Sequence, residues 1–252
     1  MGPRGARGAD HAVISTSRVT VGAGGRLLEL DAAPPLTVRR VHGPTGVCAL
    51  CMVGSAAGPL AGDDVRFELT VEADACADLA ASGASLAQGR PGGAASTLTH
   101  AVRVAARASL LAEPPALIVC EGSSVHAVLE LDISSCAEVR WLDTLVLGRT
   151  GEPSGTARVD WTVRRDGRTL LRQTLDLDDP ATRAWPGLLA GARVVATAFI
   201  AGPHLRMATH VDDPAAVAQR IDDNAGLITV LDTDAASARK RARALLDNVS
   251  RR

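Results

Sequence analysis

Cys48-Ala49-Leu50-Cys51, with His42 six residues upstream, is the sharpest chemical grouping in the chain. A CxxC pair at a turn or helix N-terminus can chelate a soft metal or cycle through a disulfide. Here the pair lies in an apolar run that reads as a strand, where residues three apart point to opposite faces. Two small buried side chains are the favoured reading, with metal contact and thiol redox chemistry as the alternatives. His100 shares the apolar face of Leu98, Val102 and Val104 and reads first as a core or interface histidine, second as a metal contact. His126 falls on the wet face of its strand. His204 and His210 stand in the connection between Gly202 and Asp213, isolated in sequence.

Three carboxylates read as turn residues: Asp63 after Gly58-Pro59-Leu60-Ala61-Gly62, Asp143 after Trp141-Leu142, and Glu152 after Gly148-Arg149-Thr150-Gly151. Composition alone favours acids that satisfy local backbone N–H groups. Enzyme motifs are missing. Gly83-Ala84-Ser85 lacks the final glycine of a nucleophile elbow, and no His is followed by Glu. After Gly22-Ala23-Gly24, Leu27 stands where a dinucleotide fingerprint has its third glycine. Lys240 is the only lysine and follows Arg239, so there is no Walker-type phosphate loop.

The elements that would position these residues are mostly strands. Val65, Phe67, Leu69 and Val71 alternate with polar neighbours, as do Val125 to Ile133 and Val159 to Val163. Asp166-Gly167 supplies a tight hairpin turn, and Leu171, Leu175 and Leu177 continue on the return strand. The pattern changes after Trp185. Val194 to Ile200 and Leu227 to Leu231 read as strands, and Asp213-Pro214 as the start of a short helix with Val217 and Ile221 inward. Asp234 caps a second helix, with Ala238, Ala242, Leu245, Leu246 and Val249 inward and Arg239, Lys240, Arg241 and Arg243 outward. The expectation is a mainly β protein, a many-stranded mixed or antiparallel architecture with a small strand-helix-strand-helix C-terminal portion. Residues 1–12 read as a disordered tail, 13–186 as a β-rich scaffold, and 187–252 as an α+β portion packed on the same domain. No repeat of fixed period is visible.

Hydrophobic residues make up 46% of the 252 and aromatics 2%, so Val, Leu, Ile and Ala must pack the core. A formal net charge of −1 argues against nucleic acid or anionic membrane as partner. The apolar centre Val47 to Val53 is far too short to span a bilayer, and the N-terminal Gly/Arg-rich stretch has no signal-peptide core. A soluble cytoplasmic protein is expected. Five cysteines are too sparse for a secreted disulfide scaffold.

Read in order, several segments resemble the UreD (UreH) family of urease accessory proteins. They are Pro34 to Arg40, Ala61-Gly62-Asp63-Asp64-Val65, Ser82-Gly83-Ala84-Ser85, Ser109 to Ile118, and Leu142 to Arg149 followed by Gly151-Glu152. Two departures stand out: Leu86-Ala87-Gln88 replaces a basic and aromatic stretch, and Ala112 replaces an aromatic. The resemblance implies a β-helix-like stack of sheets and a non-enzymatic scaffold in urease maturation. Its partners would be apo-urease, the helical accessory protein UreF and, through UreF, the nickel-carrying GTPase UreG. Nickel would be handled transiently, with no tightly bound cofactor. Asp63, Ser85, Asp143 and Glu152 match family positions suited to line a nickel path, and Glu113 and Arg149 are candidate partner contacts. The competing classes are a β-rich binding module and a metal or thiol enzyme using Cys48, Cys51 and His42.

Overall fold

A computed structural model describes residues 12–205, 207 and 211–250. The expected tail, apart from Ala12, and His210 lie outside the described residues, as does the Val249 side chain. In chain order the strands of the first part are β1 (Ile14–Gly22), β2 (Arg26–Asp31), β3 (Leu36–Arg40), β4 (Cys48–Gly54), β5 (Asp64–Val71), β6 (Cys76–Ala81) and β7 (Ser85–Ala87). There follow β8 (Ser96–Val104), β9 (Ser109–Ala112), β10 (Leu117–Val119), β11 (Ser124–Ile133), β12 (Glu138–Leu147), β13 (Thr156–Arg165) and β14 (Arg168–Asp176). Two short helices, α1 (Pro180–Ala184) and α2 (Pro186–Leu189), lead to β15 (Val194–Ala201), β16 (Ala216–Asp222), β17 (Ala225–Asp232) and α3 (Ala235–Ser250).

The chain winds between two facing sheets. The first has the order β14-β13-β11-β8-β5-β1-β2, and the second β16-β17-β15-β12-β9-β6-β4-β3, with β10 and β7 branching from β12. Successive coils pair in parallel: β5 with β8, β8 with β11 and β11 with β13 in the first sheet, β4 with β6, β6 with β9 and β9 with β12 in the second. The result is a mainly β stack of coils resembling a β-solenoid, as the family resemblance implies. Antiparallel hairpins, β1–β2 and β13–β14 among them, finish the ends of the stack. Asp166 (φ 49°) and Gly167 (φ 76°) make the expected hairpin turn with both φ positive.

Period-2 alternation sends Phe67, Leu69, Leu129, Leu131 and Trp161 from one sheet, and Leu79, Trp141 and Phe199 from the other, into a shared core. A second core lies outside the second sheet, where Ala238, Ala242 and Leu246 of α3 pack on Leu142, Ala196, Ala198, Ile228 and Val230. The two alanines let the helix axis come close to the strands.

Two C-terminal expectations are corrected. Asp213 to Ile221 does not begin a helix, because β16 forms instead and pairs antiparallel with β17. Ala216 and Ala218 are buried while Val217 is exposed, so the segment follows a strand period and completes the sheet edge. The Asp213 carboxylate bonds Ala215 N–H and the Arg241 guanidinium. The basic run of α3 is not simply solvated either. Arg239 and Arg243 bind Glu113, and Arg241 binds Asp213 and Asp232, because sheet acids lie within reach of the helix flank.

Candidate functional site

β12 carries the main surprise. Val139, Trp141, Leu145 and Leu147 are buried on its inward face, and Asp143 shares that face by alternation. Asp143 is therefore a strand residue aimed between the sheets, not a turn acid. It lines a cavity of about 40 Å³ with Thr144, Leu117 and Pro115 on one side and Leu98, His100, Ala127, Val159 and Trp161 on the other. Burial pushes its carboxyl up to about 6, against an opposing pull from the Trp141 indole, Arg239 and the Trp161 indole.

His100 projects from β8 into the same region and is 6% exposed. Its ring stands edge-on to Phe67 at 6.1 Å and tilted over Trp141 at 5.4 Å. Burial drives it down to about 4, so the imidazole is neutral at physiological pH. His100 Nε2 and Trp141 Nε1 lack a well-formed hydrogen bond, although most buried polar groups in native proteins have one. The core thus holds a carboxyl, an imidazole and an indole N–H whose desolvation is incompletely offset.

The ladder on one side of β12 is interrupted beside Asp143 for a sequence-level reason. β12 pairs with β9 over Glu138–Trp141 and with β10 over Leu117–Val119 opposite Leu145–Leu147, both on the same side. Between them Glu113 to Ala116 leaves the sheet, and Pro114 and Pro115 have no N–H to give β12. Outside this break, Glu113 receives Arg239 at 3.0 Å and the Arg243 guanidinium. Burial raises the Glu113 carboxyl, but the two guanidiniums outweigh it and hold the group below the usual carboxylate range.

The other candidates fall into different settings. Ser85, at the start of β7, lines a second concavity of about 200 Å³ bounded by Pro35, Gly58, Pro59 and Leu98. Leu98 walls both concavities, the one that holds Ser85 and the one that holds Asp143. Asp63 is buried and occupied. Its two oxygens accept Val13 N–H and Leu60 N–H, each at 2.8 Å, clamping the chain before β1 to the turn before β5. Glu152 accepts Arg149 N–H at 2.8 Å and the Arg149 side chain at 2.8 and 2.9 Å, which holds its carboxyl down to about 2. Arg149 is thus committed to its own turn, and Glu113 to α3.

Cys48 faces the core and Cys51 the opposite side, as strand geometry requires, and burial pushes the Cys48 thiol up. His42 sits in an exposed loop. The rival thiol or metal site is therefore not assembled. Among the described residues no group of three or more His, Cys, Asp and Glu side chains is placed to hold a metal. His126 is not merely solvated, since it contacts Asp160 at 2.7 Å. Sequence reading missed the convergence of His100, Trp141, Asp143 and Trp161. The available signal was an aspartate on the apolar face of an alternating strand.

These features define a β-solenoid-like protein with a histidine and a tryptophan whose polar atoms are unsatisfied inside the coil stack. The chain belongs to the UreD urease accessory protein family, whose model matches residues 11–251. It is 34% identical over 209 residues to a urease accessory protein UreD of Saccharopolyspora erythraea, covering 80% of this chain and 78% of that one. A Streptomyces coelicolor UreD is 32% identical over 234 residues, 90% of each chain. A Streptomyces griseus UreD is 35% identical over 153 residues, 61% of this chain and 60% of the relative. The family assigns the chain a role in urease maturation. Among the described residues, no helix is long and apolar enough to cross a membrane.

Proposed function

We propose that this chain is a cytoplasmic, non-catalytic scaffold that binds apo-urease, UreF and UreG, and that nickel crosses its interior past Asp143. The observation that carries the reading is the pair of concavities sharing Leu98, with Ser85 in one and Asp143 and His100 in the other. Oxygen ligands of moderate strength suit a relay, since they hold a divalent cation without trapping it. A carboxyl poised near 6 gives up its proton to an arriving cation and regains one when the cation leaves. Neutral His100 offers a nitrogen lone pair beside it. Asp63 and Glu152 act at one remove, by holding the turns that frame the interior.

The test is nickel per urease site, measured beside a pull-down of the assembly. Asp143→Ala combined with His100→Ala should leave UreF and urease bound while nickel content and urease activity fall several-fold. Full nickel loading by this double variant would sink the passage. A lost pull-down would make the pair structural.

A further inference from the structure

The concavity that holds Ser85 measures about 200 Å³ and the one that holds Asp143 and His100 about 40 Å³, with Leu98 a wall of both. At roughly 10 to 15 Å³ of enclosed space per water, the smaller has room for about three guests and the larger for more than about ten. A divalent cation in water carries a shell of about six waters. The hydrated ion therefore fits the larger space and not the smaller, which it can enter only with about two waters left.

Little in the smaller cavity replaces the lost water. The side chains of Leu98, Leu117, Leu145, Val159 and Trp161 have no atom that can ligate a cation. Asp143 offers carboxylate oxygens, and His100 Nε2 is buried without a hydrogen-bond partner. The Trp141 indole has only an N–H donor, which cannot ligate. One carboxylate and one imidazole nitrogen suit cations that take nitrogen as readily as oxygen, such as nickel, cobalt and zinc. Magnesium demands an octahedron of oxygens and keeps several of its waters, and calcium takes more oxygens still.

We propose that the interior selects its cargo by stripping it of water. At Leu98 a divalent cation exchanges most of its hydration shell for Asp143 and His100, so cations that accept imidazole nitrogen pass while magnesium and calcium are turned back. This rests on the passage proposed above and adds its selectivity. Two protein donors replace only part of the shell, so the ion is held loosely enough to move on.

The molecule carries its own reporter. Of its three tryptophans, Trp141 and Trp161 are buried at the site and Trp185 is 62% exposed. Open-shell nickel quenches indole fluorescence at contact, whereas closed-shell zinc and magnesium do not. In the untagged full-length chain carrying Trp185→Phe, nickel should quench most of the emission. Zinc at equal concentration should restore about half of the loss, and about a hundredfold excess of magnesium none of it. Leu98→Ala widens the step and should let the same magnesium excess restore most of the emission. Ala127→Val narrows the inner cavity and should cut nickel quenching several-fold. Magnesium that restores emission in the Trp185→Phe chain as readily as zinc would overturn the selectivity and leave the passage standing. Magnesium without effect on a folded Leu98→Ala chain would do the same. If Leu98→Ala does not fold, Ala127→Val decides, and undiminished quenching there overturns the proposal. Absence of quenching, or quenching unchanged by Asp143→Ala with His100→Ala, would overturn both the selectivity and the passage.

Discussion

The outer face of the first sheet and the space behind it treat polar groups in opposite ways. Outside, charges are matched: Arg66 contacts Glu68 and Glu130 at 2.9 Å each, and Asp160 takes Arg158 at 2.8 Å and His126 at 2.7 Å. Inside, Asp143, His100 and Trp141 share a core in which carboxyl, imidazole and indole are only partly satisfied. The outer ladder is solvated and costs little either way. The inner cluster carries a desolvation penalty that folding alone gives no reason to keep. The contrast separates polar residues matched by counter-charges and water from those left incompletely paired in the interior.

Glu113, paired but largely buried, should give the largest effect on stability. Glu113→Gln leaves two guanidiniums without their shared carboxylate and should cost about 2 to 4 kcal/mol in denaturant unfolding, with α3 the first element to loosen. A loss below half a kcal/mol would mean that this pair belongs with the solvated ladder.

Asp143→Asn should act in the other direction. The folded carboxyl, near 6, binds a proton more tightly than the unfolded one, near 3.8. Between about 4 and 6 the native state therefore holds more protons, and wild-type stability falls as pH rises through that window. The amide does not titrate. The variant should gain on wild type by about 3 kcal/mol across the window, while delivering less nickel. Parallel stability–pH curves for the two proteins would remove Asp143 from the strained cluster.

Arg66→Ala is the smallest. Both of its ion pairs are well solvated, so it should shift stability by about 0.5 kcal/mol or less, and less again at high salt. A loss several times larger would mean that the outer ladder is a cooperative network, blurring the distinction drawn here.

Much of this was legible in the residues. Alternation at Val65 to Val71 and Val125 to Ile133 gave the strands and their inward faces, and Asp166-Gly167 gave a turn realised with both φ positive. Alternation says nothing about which strand lies alongside, so the parallel winding of coils came from the family resemblance alone. The corner alanines Ala75, Ala108 and Ala137 are all buried at equivalent bends, but at unequal spacing, which hides the repeat from a fixed-period search. Asp213-Pro214 carried a genuine helix-start signal. It lost to the pairing offered by β17, a tertiary preference no local window contains. Asp143, read beside Trp141-Leu142 as a turn acid, is instead put on the inward face by the two-residue rhythm of β12 itself.

The break at Pro114 and Pro115 has a consequence for how this chain can drift in sequence. One proline in a strand is a defect that a single substitution repairs. Two in succession behave differently: consecutive N–H groups of an extended chain point to opposite neighbours, so the pair denies both edges, and replacing either restores hydrogen bonding on one edge alone. One substitution therefore cannot turn Glu113 to Ala116 into an ordinary interior strand beside Asp143.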